Sequence, residues 1–205
     1  MPELTVVCVS YRRYRNIPIL LHAFLAQTLQ NFRLLVIHDG PDEKMESVLA
    51  PFKKRHPGVI DYLFTETRHR DFGHSLRDLG IQRAETEYLL LTNDDNYYVP
   101  VFLEYMFASI HRAEGPPPDL VYCDMVHSHE NPGITKQPRY RPFETRPERY
   151  FIDIGCVIAR TALARQVGFR DKRAAGDATY VEDLLKAAGP DAVVVKVPHV
   201  LFVHN

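Results

Sequence analysis

The chain has 205 residues, 45% of them hydrophobic and 25% charged, and its 25 Lys and Arg against 26 Asp and Glu leave a formal net charge of -1. That length suits one domain with a full core better than two, and the composition lies far from that of a disordered chain. A balanced charge provides no global field toward nucleic acid or anionic lipid, so any anionic ligand must be gripped locally.

Residues 5–10 (TVVCVS) and 34–38 (LLVIH) are short, β-branched apolar runs that end on polar or turn residues, the pattern of buried strands. Between them Asn16 can cap a helix with Pro18 in its first turn and Ile17, Leu20, Leu21, Phe24 and Leu25 at helical spacing. A helix over 43–55, a strand over 60–64, a helix over 74–84 and a strand over 88–92 continue the alternation. Such a series predicts a mostly parallel sheet with helices on both faces. Ligands collect at the carboxyl ends of such strands, which draws attention to Tyr11, Asp39, Glu66 and residues 93–96.

Further on, the spacing predicts a helix over 100–112, a break at the GPPP of 115–118 and a strand over 120–126. Residues 132–147, rich in Pro, Arg and Tyr and without either period, read as a surface loop suited to a substrate lid. A strand over 150–158, helices over 161–167 and 179–188, and two apolar runs at 193–197 and 200–203 complete the chain. Cys8, Cys123 and Cys156 each lie in an apolar run without C-x-x-C spacing, which predicts buried free thiols in a reducing compartment. No apolar stretch approaches the ~20 residues that cross a bilayer, and no signal-peptide core opens the chain. The expected location is cytoplasmic, compatible with peripheral association at a membrane.

The sharpest chemical signal is Asn93-Asp94-Asp95-Asn96, directly after the apolar run 88–92. Adjacent carboxylates at a strand end repel each other, and a hard cation, Mn²⁺ or Mg²⁺, would offset that repulsion while completing its shell with phosphate oxygens. The same residue types also suit a loop or cap before the helix at Pro100. His127 and His129 share a strand face by period two and read as solvent-exposed histidines rather than a metal pair.

With these motifs in place the chain resembles the family 2 glycosyltransferases, whose GT-A fold carries a D-x-D element after its fourth strand. The resemblance implies an α/β, Rossmann-like nucleotide-diphospho-sugar transferase, a mostly parallel central sheet flanked by helices. It covers nearly all of 1–205 as a single domain, with 1–97 as the nucleotide-sugar-binding half and 98–205 as the acceptor-binding half. Val6 to Tyr11 is similar to the family's first strand, which gives Ser10 and Tyr11 a place beside the nucleobase. Ile37-His38-Asp39-Gly40 resembles the second-strand ending, in which the carboxylate of Asp39 accepts a hydrogen bond from the base. Asp71-Phe72-Gly73 and Arg77-Asp78-Leu79-Gly80 resemble N-x-G and R-N-x-G with both asparagines replaced; Gly73 and Arg77 carry over, Arg77 toward base or diphosphate.

In the D-x-D register Asp95 is expected as the main metal ligand, Asp94 as its assistant through ribose or water, and Asn96 as second choice. The C-terminal His204 resembles the histidine that some GT-A enzymes supply as a third ligand. Asp153-Ile154-Gly155 resembles an acceptor-side segment. Gly176-Asp177 with Glu182-Asp183 resembles the segment that holds the family's catalytic base; counted back from Gly189, Asp177 takes that position in preference to Glu182 or Asp183. The activity implied by the resemblance is an inverting, metal-assisted transfer from a nucleotide-diphosphate sugar, UDP preferred, to a hydroxyl on a glycan, lipid-linked or small-molecule acceptor. A catalytically inactive nucleotide-sugar-binding subunit and a nucleotidyltransferase are the alternatives. The latter is disfavoured because Tyr11-Arg12-Arg13-Tyr14 stands where a Gly-rich phosphate loop belongs.

Overall fold

Residues 2–112, 115–132, 136–174 and 176–205 are described by a computed structural model. Strands β1 (Leu4–Ser10), β2 (Phe32–His38), β3 (Ile60–Phe64) and β4 (Tyr88–Asn93) pair in parallel in the order β3-β2-β1-β4. All seven residues of β1 are buried. A central parallel strand is covered on both faces, which is why its sequence is a continuous apolar run rather than an alternation. The sheet continues through β8 (Val157–Arg160), antiparallel to β4, then β6 (Leu120–His127), β9 (Val194–His204) and the two-residue β5 (Tyr97–Tyr98). β7 (Arg141–Phe143) pairs with β6 off this path.

Six α-helices lie among the described residues: α1 (Ile17–Leu25), α2 (Glu43–Arg55), α3 (His74–Arg83), α4 (Phe102–His111), α5 (Thr161–Val167) and α6 (Gly176–Ala188). α2 shows the local reasons best: Asp42 accepts a 2.7 Å hydrogen bond from Met45 N at its start, acids fill its first turn and Lys53, Lys54 and Arg55 its last. α1 differs from expectation in its cap. Asn16 stands at the N-cap, but its side chain makes no capping bond and only its carbonyl serves the helix. α3 lies against β1 through Gly80, where a Cβ would come within 2.3 Å of Val7 Cγ1.

Three expectations are corrected. The strand expected over 150–158 is a 3-10 turn at Ile154–Cys156 followed by β8, because Asp153 caps that turn by accepting from Gly155 N at 2.7 Å. The apolar runs at 193–197 and 200–203 are one strand, β9, whose pairing with β6 shifts at Pro198-His199, where a bulge absorbs the proline. The loop over 132–147 contains β7; residues 133–135 lie outside the described residues. The three cysteines are buried free thiols, and burial pushes each thiol pKa upward. No described helix is long and apolar enough to cross a membrane.

Candidate active site

Parallel register decides which side chains meet. Ser10 is level with His38, and Val9 with Asn93, so the exits of β1, β2 and β4 open at one edge of the sheet. A cleft of about 550 Å³ lies there, lined by Ser10, Tyr11, Asp39, Gly73, Arg77, Asp94, Asp95 and Asp177 together with residues not anticipated from sequence, among them Arg13, Arg68, Arg70 and His74.

At one end Asp39, buried, accepts from His69 N at 2.7 Å and from Arg70 N at 3.2 Å, which ties the loop after β3 to the exit of β2. Arg68 lays its guanidinium 3.5 Å from the centroid of the Tyr11 ring and places Nε 3.7 Å from Asp39. An aromatic shelf, a carboxylate and arginines suit a nucleobase, which needs a stacking face and an in-plane partner.

At the centre is the acidic turn. Asp94 is 4% exposed and accepts a 2.5 Å hydrogen bond from Ser10 Oγ. Burial raises its pKa to about 7 against the opposing effects of Ser10 and the Arg13 guanidinium. Arg13 spans the turn, with Nε 3.6 Å from Asp94 Oδ1 and an ion pair from Nη1 to Asp95. The guanidinium thus stands where a cation is wanted, and the carboxylate donors are the oxygen type that a hard divalent ion takes, so the residues present fit Mn²⁺ or Mg²⁺. Asn96 is buried differently: its Nδ2 donates to Thr92 Oγ1 at 3.2 Å and its Oδ1 accepts from Asn205 N at 3.4 Å, pinning the turn to the end of β9.

Across the cleft is Arg77, 2% exposed, which donates to Asn93 Oδ1 at 2.5 Å, to Phe72 O at 2.9 Å and to His74 Nδ1 at 2.8 Å. His74 Nε2 lies 2.9 Å from Arg173 O, so its proton sits on Nε2 and its ring is neutral. Burial, followed by the Arg77 charge, accordingly lowers its pKa to about 4. Its 3.8 Å approach to Asp177 Oδ1 is therefore a dipolar contact rather than an ion pair. Gly73, at φ 81°, caps α3 beside them.

Asp177 stands in the first turn of α6, which can start this close only because Gly176 has no side chain: a Cβ would lie 2.3 Å from Asp171 O and 3.0 Å from His74 Nε2. Asp177 Oδ1 is buried with no hydrogen-bond partner among the described residues. Burial raises the Asp177 pKa to about 6, with Arg77 pulling the other way. Glu182 and Asp183 lie outside the cleft lining, ion-paired to Arg149 at 2.6 Å and Arg170 at 2.5 Å.

Asn96, Asp153, Gly155 and His204 are likewise absent from the lining. Gly155 faces the core, where a Cβ would meet Phe202 Cζ at 2.5 Å. Asp153 Oδ2 lies 3.5 Å from His204 Nε2, and the His204 ring stacks on His127 at 4.5 Å. Burial and the neighbouring imidazoles lower the His127 pKa to about 4, so that ring too is neutral. Of the residues missed, Arg13 had a signal, since an arginine shortly after a strand exit can reach the same edge. Arg68, Arg70 and His74 had none, because only the tertiary path of the loop after β3 brings them in.

The sequence model of the glycosyl transferase family 2 matches residues 5–171. An uncharacterized glycosyltransferase of Bacillus subtilis (strain 168), YwdF, is 25% identical over 138 residues, 66% of this chain and 47% of that one. Among solved structures, S. aureus TarS 1-349 in complex with UDP superposes with a TM-score of 0.79 at 16% identity, over 100% of this chain and 60% of that one. Mannosyltransferase PcManGT from Pyrobaculum calidifontis, in complex with GDP-Man and Mn²⁺, gives 0.72 at 15% identity, over 99% and 56%. The chain spans less than half the length of the curated relatives it matches.

Proposed function

The chain belongs to the glycosyl transferase family 2 and has the GT-A fold, and from that premise we propose that it moves a sugar from a nucleotide-diphosphate donor to an acceptor hydroxyl with inversion, assisted by Mn²⁺ or Mg²⁺. The observation that carries this reading is the set of groups that line one cleft: a base shelf at Tyr11 and Asp39, an acidic turn at Asp94 and Asp95, and at Asp177 a buried carboxylate oxygen with no hydrogen-bond partner among the described residues. Residues 1–97 then serve the donor and 98–205 the acceptor.

In this mechanism Tyr11 stacks on the base and Asp39 accepts its N–H, with Arg68 moving off the ring. Asp94 and Asp95 would hold the divalent ion; Asn96 and His204, outside the cleft lining, are not kept as its ligands. That ion supplies charge stabilisation to the departing diphosphate. With those carboxylates engaged by the ion, the Arg13 guanidinium would be free for a phosphate oxygen. Arg77 is a fixed cation behind the turn that keeps Asn93 oriented and favours ionised Asp177. Asp177 removes the proton of the acceptor hydroxyl as that oxygen attacks the anomeric carbon. Asp153 and Gly155 shape the acceptor side by holding the turn before β8.

Complexes of similar folds with UDP, UDP-GlcNAc and GDP-Man agree with a nucleotide-diphosphate sugar as donor, and UDP is the preferred nucleotide. The test is hydrolysis and transfer across a panel of UDP-, GDP- and dTDP-sugars with Mn²⁺ and with chelator. Turnover of one nucleotide class, abolished by chelator, is expected. Saturable nucleotide-sugar binding without turnover of any donor or acceptor would instead identify a binding subunit.

A further inference from the structure

Away from the cleft lining, His127 at the end of β6, His129 two residues on and His204 at the end of β9 form a cluster in which one ligating nitrogen from each lies within 4.8 Å of the others. Strand pairing builds it. His127 is level with His204 across the β6–β9 ladder, and the ladder bond from Ser128 N to His204 O, 3.0 Å long, turns the chain so that His129 returns to the same face. The rings touch: His127 stacks on His204 at 4.5 Å and lies 4.9 Å from His129, which is 5.3 Å from His204.

The polar partners separate this cluster from accidental crowding. His204 Nε2 lies 3.5 Å from Asp153 Oδ2, while its Nδ1 is buried with no hydrogen-bond partner among the described residues. A carboxylate close to one ring nitrogen favours the proton there and leaves the other nitrogen to ligate, the arrangement in which metal-bound histidines are oriented. In His127, Nδ1 accepts from His129 N at 3.1 Å. A metal at that nitrogen displaces only this one hydrogen bond.

We infer that His127, His129 and His204 form a site for a transition-metal ion of the Zn²⁺, Co²⁺ or Ni²⁺ type, held by three imidazoles with Asp153 orienting His204, and separate from the oxygen-ligand site of the Asp94–Asp95 turn. Imidazole donors select these borderline ions, whereas carboxylate and phosphate oxygens select Mg²⁺ and Mn²⁺. Three ligands leave a fourth position for water, and the ion ties the last residues of β9 to the exit of β6. The site rests on the histidine geometry and holds whether or not the chain transfers sugar.

The experiment is a Co²⁺ titration of the full chain, without an affinity tag, followed by visible d–d absorption and repeated with Zn²⁺ in competition. One equivalent with the spectrum of a nitrogen-ligated, low-coordinate ion is expected. His129→Ala removes an exposed ligand and should weaken binding roughly 100-fold or more, since even an outer-shell partner of a metal-bound histidine is worth about 10–100-fold. Asp95→Asn should leave it unchanged. The inference is overturned if the parent chain shows no such absorption, if His129→Ala binds as the parent does, or if Asp95→Asn removes the signal, which would place the ion at the acidic turn.

Discussion

Asp94, buried, and Asp177, half-buried with its Oδ1 enclosed, are both carboxylates with raised pKa values, yet they face different partners. Asp94 has Ser10 and Arg13 against it, whereas Asp177 Oδ1 has no hydrogen-bond partner among the described residues and a neutral imidazole beside it. A base must be ionised to work, so with a pKa near 6 in the free protein, kcat/KM should rise with pH and level off above about pH 6. Asp177→Asn should lower kcat by about 10²–10⁴-fold while donor binding, read by calorimetry, stays within a few-fold. Full activity in that variant, or a pH profile of the same shape as the parent's, would remove Asp177 from the role. Glu182→Gln breaks only the ion pair to Arg149 and should leave turnover nearly intact. At this scale the sequence carried the residues that stand at strand exits, Ser10, Tyr11, Asp39, Asp94 and Asp95, because an exit is fixed by its strand. It did not carry Arg68, Arg70 or His74, whose place depends on a loop folding back over the sheet edge.

Secondary elements were legible wherever burial imposed one period over a full element: β1, β3 and α5 match the apolar pattern to within a residue at each end, and β2 departs only by starting two residues earlier, at Phe32. β5 and β7 escaped because two or three residues carry no period, and the bulge in β9 escaped because Pro198 reads as a break although it only shifts the ladder. The contact of α3 with β1 gives this scale its prediction. Gly80→Ala gains helix propensity worth about 1 kcal/mol, but the new methyl would sit 2.3 Å from Val7 Cγ1 and 2.9 Å from Cγ2, inside a strand that cannot retreat. Overpacking of this kind costs about 1–3 kcal/mol, so Gly80→Ala alone should lower stability in chemical denaturation. In a Val7→Ala background, where only the 3.1 Å approach to the residue 7 Cβ remains, the same change should cost less. A loss of equal size in both backgrounds would show that the close approach is not what Gly80 provides.

Across the whole molecule, four ionisable groups, Asp94 and His74 buried and Asp177 and His127 half-buried, oppose one another in pairs. Asp94 and Asp177 have folded pKa values raised to about 7 and about 6, so their contribution is fully present at low pH and is lost as pH rises through those values. His74 and His127 are lowered to about 4, so theirs is present above the ordinary histidine value and is lost as pH falls toward 4. Between about pH 4.5 and 6 the unfolded chain carries protons on the two histidines and the folded chain on the two aspartates. The difference in bound protons is then near zero, and because the slope of stability with pH is proportional to that difference, the chelated parent protein should show a nearly flat profile over this window. The depressed carboxylates Asp42, Asp71 and Asp171 act below it, as acid removes their hydrogen bonds. Asp94→Asn keeps a hydrogen-bond acceptor for Ser10 but removes one folded-state proton from the balance. Its stability should therefore rise with pH by about 1.4 kcal/mol per unit across the window. Urea midpoints with chelator at three pH values decide the matter: a flat parent and a rising variant are expected, while parallel profiles would mean that Asp94 is already ionised in the metal-free fold.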